Sequence, residues 1–282
     1  IPNACAGEAW YPYDPARARE LLAEAGYPNG FETQLSYRDL SRGYLPQPFL
    51  VADAIRRQLK QNLGIVVHSN LMDTGPFYAA LDAGALPGMY LLGWGADYPD
   101  ISNFLDTHFG APATLQFGNK FDDILNALQS AAAKDSPQAR RPDYEAANNA
   151  LRQHAPLVPL VHGGWLSPHS RAVAYQVVVQ GAHASPLSLE DFSALSINGS
   201  DAFTWLGEYE PPSLYCADET DIDALRICAQ VTEPLYRFVA GGLEPQPGLA
   251  EYCLPEPGMS VWTCTLRQGV LFHDGSSLDA ND

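Results

Sequence analysis

Residues 93–100, GWGADYPD, gather side chains able to hold a small charged molecule. Asp97 supplies a carboxylate which, at a strand end in a closing cleft, can form a charge-assisted hydrogen bond to an ammonium; capping the next turn is the competing use. Trp94 and Tyr98 flank it and suit the wall of a mostly apolar pocket with few polar anchors, or else a packed core. Asp100 is expected to cap or brace the loop. Upstream, Arg38 and Arg42 lie in YRDLSRGYLPQP, where a guanidinium fork fits a carboxylate and a surface ion pair is the alternative. If both faced solvent, neither would restrict the ligand.

His273 and Asp274 in FHDG are acid–base types, but no nucleophile motif surrounds them and Gly275 marks a tight turn. GxSxG, HExxH and phosphate-loop patterns are absent, so neither catalysis nor a cofactor is expected. Four of the five cysteines, Cys216, Cys228, Cys253 and Cys264, crowd the last part of the chain without CxxC or Cys/His spacing, which disfavours zinc and suits an oxidising compartment. Cys253 with Cys264 is the favoured pair, on neighbouring strand candidates joined by Pro255-Glu256-Pro257-Gly258. Cys216 with Cys228 then follows by elimination, although four cysteines allow three pairings.

The elements that position these groups are marked by helix and strand periodicity. Asp14 and Pro15 open a helix with Ala18, Leu21, Leu22 and Ala25 as its apolar stripe, and Gly26 stops it. FETQLSY alternates as a strand; Val51, Ile55, Leu59 and Leu63 recur at helical spacing before Gly64; IVVHSN is a strand, Phe77 to Leu81 a short helix and MYLLGW a strand. This β-α-β-α-β succession predicts a mostly parallel sheet flanked by helices, with ligand beyond the carboxyl ends of its strands, where GWGADYPD begins. Further helices are expected near 119–132 and 141–154, and a strand over 157–164 whose proline suggests an edge. A boundary is placed between 190 and 202. Beyond it, Asp223 to Arg237 reads as helical in its first half up to Pro234, and LAEYC and SVWTCTLR as antiparallel strands. Leu278 to Asp282 look like the start of a helix whose body is missing, so the fold is expected to be incomplete.

Sixteen Lys and Arg against 33 Asp and Glu give a net charge of −17, which disfavours nucleic acid or an anionic membrane as partner. No stretch reaches the roughly 20 apolar residues needed to cross a bilayer. IPNACAGEAW lacks the pattern of a signal peptide, as a mature or excised chain would and a cytoplasmic protein also would.

YDPARARELLAEAGYPNG, DAIRRQLKQNLGI and LLGWGADYPDISNFL resemble the later half of the oligopeptide- and dipeptide-binding receptors of ABC importers, the extracellular solute-binding proteins of family 5. EPPSLYCADETD, TEPLYRF, PGLAEY and TLRQGVLFHDGSSLDAND resemble the beginning of the mature receptor, so the order is inverted. The junction of two tandem modules, a permutation with deletions, and a chain joining nonadjacent segments are the competing explanations. The resemblance implies an α/β fold: a periplasmic-binding-protein-like type II second lobe over 1–157 with mixed sheet and flanking helices. Residues 158–202 would return toward the first lobe, and 203–282 would form a reduced or incomplete first lobe.

It also implies that Asp97 holds the amino terminus of a bound peptide and that an arginine near this loop, Arg42 in better register than Arg38, grips its carboxylate. His162, Trp165 and Trp205 would lie on the hinge side or near ligand, FHDG would be a structural landmark, and the partners would be a peptide or similar small solute and an ABC permease complex. The location implied is extracellular or periplasmic, with a membrane anchor conceivable in a full-length protein. A noncatalytic interaction module or fragment derived from a tandem receptor is the alternative.

Overall fold

The structure, a computed structural model, describes residues 7–42, 44–162, 173–175, 192, 195–197, 202, 204, 211, 213–218, 222–238 and 244–282. Helix α1, Pro15–Glu24, begins where Asp14 accepts hydrogen bonds from the Ala16 and Arg17 N–H groups and Pro15 occupies a position that has no N–H bond to lose. Its stripe is shallow: Leu21 is exposed and no residue of the helix is fully buried. Strand β1, Glu32–Tyr37, leads to α2, Pro48–Leu63, closed by Gly64 at φ 72° with the Gly64 and Ile65 N–H groups bonded back to the Lys60 and Leu59 carbonyls. Strand β2, Val66–Leu71, α3, Thr74–Asp82, and β3, Met89–Tyr90, complete the unit.

The expected β-α-β-α-β succession is thus present as a parallel sheet in the order β2-β1-β3. Central β1 is buried on both faces at Leu35, Ser36 and Tyr37, as a strand covered by crossover helices must be. One core joins Leu35, Tyr37, Ile65, Val67 and Leu91 to Ala52 of α2, while Phe77 and Leu81 of α3 are fully enclosed. The MYLLGW strand is shorter than expected. Only Met89 and Tyr90 pair in register, with one further bond from Leu91 N–H to the Ser36 carbonyl, before the chain turns away.

A second core lies among α4, Ser102–Phe109, α5, Asp122–Ala132, and α6, Pro137–His154. Helix α4 was not anticipated, although Ile101, Leu105 and Phe109 at spacing i, i+4, i+8 all enter this core. Helix α6 starts earlier than residue 141, because Ser136 caps Ala139 N–H and Pro137 takes the first turn; Pro142 inside it forgoes one backbone bond. Residues 7–11 run along α6, held by Asn149, which accepts from Glu8 N–H, and by Arg152, which donates to the Ala9 carbonyl, pairs with Glu8 and stacks on Tyr11.

The strand expected over 157–164 does not form in its described part: residues 157–162 have no ladder partner among the described residues, and Val158, Leu160 and Val161 are exposed. Pro156 and Pro159 supply no N–H to a ladder, which explains the failure despite the β-forming composition. Residues 163 and 164 lie outside the described residues.

Beyond it, β4, Val173–Tyr175, pairs antiparallel with β5, Leu195–Ile197. Helix α7, Ile222–Val231, ends before Pro234; β6, Tyr236–Phe238, pairs with β7, Pro245–Pro247, and β8, Ala250–Pro255, with β9, Trp262–Leu266. Both disulfide pairs expected from the sequence are present, Cys216–Cys228 and Cys253–Cys264, the latter directly across the β8–β9 ladder. Alternation along β9 does not produce a buried face, for Trp262 is 52% exposed and no layer of described residues covers it. FHDG is a tight turn, with Gly275 at φ 88° and Asp274 accepting from the Ser276 N–H and hydroxyl. Leu278 to Asp282 form a single turn, not a helix.

Candidate functional site

The carboxyl ends of β1 and β3 are neighbours in the sheet, so the chain leaving β1 at Arg38 and the chain leaving β3 at Leu91 emerge side by side. The two loops are locked at Gly93, where a Cβ would land inside the Tyr44 ring; only glycine allows the aromatic ring to lie directly on the backbone.

Past Gly93, one buried side chain organises the rest. Asn103, in the first turn of α4 and 2% exposed, accepts through Oδ1 from the Trp94 indole N–H at 2.8 Å and from the Asp97 backbone N–H at 3.0 Å. Its Nδ2 donates to Asp97 Oδ2 at 3.1 Å. Two donors on Oδ1 settle which way the carboxamide faces. Asp97 is half-buried, and among the described residues no hydrogen bond reaches its Oδ1 and no cation pairs with it. Burial pushes its carboxyl above the usual range and the Asn103 bond partly offsets this.

Asp100 has the bracing role expected of it. It accepts from Ser102 N–H at 2.9 Å and from both terminal nitrogens of Arg140, at 3.4 and 2.8 Å, tying the start of α4 to α6. Burial acts to raise its carboxyl, but the Ser102 and Arg140 bonds outweigh it and the net displacement is downward. Tyr98 is 39% exposed, with its hydroxyl accepting from Ser102 Oγ at 3.4 Å.

Behind Trp94 stands His108, 8% exposed, whose ring meets the indole edge-on at 4.8 Å and also contacts Phe117 and Phe109. Burial lowers its pKa to about 4, opposed by the Gln116 side chain, although neither ring nitrogen makes a well-formed hydrogen bond. On the same helix, burial followed by the Asp100 charge raises Asp106 to about 6, and its Oδ2 is buried without a partner. A small cavity lined by His108, Phe117, Lys120 and Ile124 opens on this side.

Arg38 is 9% exposed, its guanidinium lying 4.5 Å from the Tyr78 ring and 5.3 Å from that of Phe77. Arg42 is half-buried, its backbone paired with that of Leu45 at 3.2 and 2.9 Å. Both act on the Tyr44 hydroxyl: burial raises its pKa, while the charges of Arg42 and Arg38 pull it down. The condition that both arginines face solvent is therefore not met.

Of the expected site residues, Trp94 and Asp97 are joined through Asn103, Tyr98 stands beside them, and Arg38 and Arg42 converge on Tyr44. His162 is exposed on the unpaired 157–162 stretch, and Trp165 and Trp205 lie outside the described residues. Asn103, Tyr44 and His108 were not anticipated. The available signal for Asn103 was its place one turn into a helix that follows WGADYPD, since helical side chains lean back over the preceding turn. Among the described residues no group of three or more His, Cys, Asp or Glu is placed to hold a metal ion, and no helix is long and apolar enough to cross a membrane.

Residues 2–115 match the family model described as bacterial extracellular solute-binding proteins, family 5 middle. The chain is 30% identical over 195 residues to heme-binding protein A of Haemophilus influenzae, covering 67% of this chain and 34% of that protein. It is 31% identical over 186 residues to a dipeptide-binding protein of Pseudomonas aeruginosa, covering 64% of this chain and 33% of the relative. The periplasmic binding protein DppA from Helicobacter pylori, solved in complex with the peptide STSA, aligns with a TM-score of 0.56 at 27% identity over 66% of this chain and 35% of its own. The chain thus spans about a third of the length of the curated relatives it matches.

Proposed function

This chain belongs to family 5 of the bacterial extracellular solute-binding proteins, and from that premise we propose that it captures a short peptide reversibly at the carboxyl ends of β1 and β3, outside the cytoplasm, for an ABC permease. Asp97 takes the peptide ammonium, Arg42 its carboxylate, and Trp94 and Tyr98 form the wall. The observation that carries the reading is the Asp97 carboxyl group: Oδ2 is held by a buried carboxamide while Oδ1 has no described partner. A half-buried carboxylate fixed on one oxygen and open on the other suits a ligand cation, because the charge-assisted bond needs little further ordering. The relatives whose names specify dipeptides, and the solved neighbour holding a tetrapeptide, are consistent with this ligand class. Binding involves no covalent step.

Native mass spectrometry and calorimetry of the chain with Ala-Ala and N-acetyl-Ala-Ala test the reading. Ala-Ala is expected to bind, and acetylation or Asp97→Asn to abolish binding; absence of dipeptide binding, or indifference to acetylation, would refute it. The second reading, a noncatalytic interaction module, draws on the exposed apolar run Val158, Leu160 and Val161. Self-association or capture by another polypeptide, without peptide binding, would favour it.

A further inference from the structure

We propose that Arg38 is a second anion-binding group of this site, so that the preferred ligand is a peptide with an acidic residue at its carboxyl terminus: one ammonium and two neighbouring carboxylates. This rests on the peptide-binding reading above. The guanidinium is nine-tenths buried at the end of β1, and its Nε and Nη1 are enclosed without any hydrogen-bond partner. Stacking over Tyr78 and Phe77 accounts for where the group sits, but ring faces leave in-plane N–H groups unsatisfied. Arginine does not shed its charge, so a buried guanidinium with orphaned donors calls for an anion to complete it. Among the described residues no carboxylate pairs with it.

The place of Arg38 indicates which anion. It shares a loop with Arg42, both guanidinium charges bear on the Tyr44 hydroxyl, and the Tyr44 ring lies on Gly93, next in the chain to Trp94. The loop that carries Arg38 and Arg42 leaves β1 beside the chain that carries Asp97 out of β3, and a ligand with two carboxylates close together complements the arginine pair. The α- and side-chain carboxylates of a terminal Glu lie close together, and each has the planar shape that a guanidinium fork recognises.

The test compares Ala-Glu with its neutral isostere Ala-Gln by calorimetry on the chain at neutral pH and low salt. Ala-Glu is expected to bind at least about tenfold more tightly, the scale of a hydrogen bond to a charged group. Arg38→Met, which keeps the long stem against the rings, is expected to erase the difference between the two dipeptides, and Arg38→Lys to restore part of it. Equal affinity of the unaltered chain for the two dipeptides overturns the inference and leaves the peptide-binding reading standing. Binding of neither refutes both. The wild-type comparison decides the matter even if the Met variant does not fold.

Discussion

Asn103 donates to Asp97 Oδ2 at 3.1 Å while accepting the Asp97 backbone N–H at 3.0 Å, so one buried carboxamide fixes both the main chain and the carboxylate of the same residue. The third bond, from the Trp94 indole at 2.8 Å, ties that ring to the same carboxamide. Asn103→Leu, close in size, removes all three and leaves two donors and a carboxylate oxygen unpaired. Each orphaned neutral group costs about 1–3 kcal/mol, so a loss of roughly 2–4 kcal/mol is expected in urea denaturation. Amide exchange at Asp97 should accelerate and the Trp94 indole N–H lose protection. An unchanged indole resonance would show that the bond network does not persist in solution.

The two displaced groups of α4 pull stability in opposite directions with pH. Asp106, raised to about 6 by burial and by Asp100, binds its proton more tightly folded than unfolded, so acidification from above 6 toward 4 favours the folded state. His108, lowered to about 4 by burial, binds its proton more tightly unfolded, so acidification from 6.5 toward 4 costs stability, on the order of 3 kcal/mol in all. The wild-type contributions largely cancel over this window. His108→Phe should therefore make the protein more stable between pH 6.5 and 4 as pH falls, and Asp106→Asn less stable, both read from urea midpoints. Parallel pH profiles for the two variants would contradict the opposed signs.

What could be read in advance follows from where the signals are local. Between Pro15 and Tyr90 several boundaries carry their own chemistry, Asp14 and Pro15 at one start and Gly26 and Gly64 at two stops, so the parallel unit was legible. Helix α4 was hidden because Asn103 and His108, polar by type, occupy buried positions beside Leu105 and Phe109. Residues 157–162 misled in the opposite sense: Val158, Leu160 and Val161 have strand composition, but a ladder also needs a partner edge and N–H donors that prolines lack. At the proposed site, Asp97, Trp94 and the arginines stand out by residue type. The burial of Arg38 and the bonds of Asn103 arise only when β1 and β3 are adjacent, a long-range pairing that local patterns do not encode.

Gly93 and Gly95 make a controlled comparison at the same turn. A Cβ at Gly93 meets the Tyr44 ring, whereas one at Gly95 has nothing within 4 Å, and neither residue has positive φ. Gly93→Ala should displace Tyr44 and the loop carrying Arg38 and Arg42, destabilising the protein by about 1–3 kcal/mol as overpacking does, and weakening dipeptide binding. Gly95→Ala should leave both nearly unchanged. Equal behaviour of the two variants in denaturation and calorimetry would exclude the ring-on-backbone contact as the lock between the loops.

The disulfides should matter only to the part of the chain that contains them. Cys216–Cys228 and Cys253–Cys264 close short loops, with sequence separations of 12 and 11, each expected to contribute roughly 3 kcal/mol by restricting the unfolded chain. The β8–β9 hairpin depends on its bridge because Tyr252, Leu254 and Trp262 are 49, 62 and 52% exposed, so little apolar burial supports it. The parallel unit, with Leu35, Val67 and Phe77 fully or nearly fully buried, has a core that owes nothing to either bridge. Reduction, or Cys253→Ser with Cys264→Ser, should therefore unprotect hairpin amides in hydrogen exchange while those of β1 and β2 stay slow. Simultaneous loss of protection at β1 would mean that the two regions fold as one cooperative unit, and the hairpin would then be a buttress for the site rather than an independently braced segment.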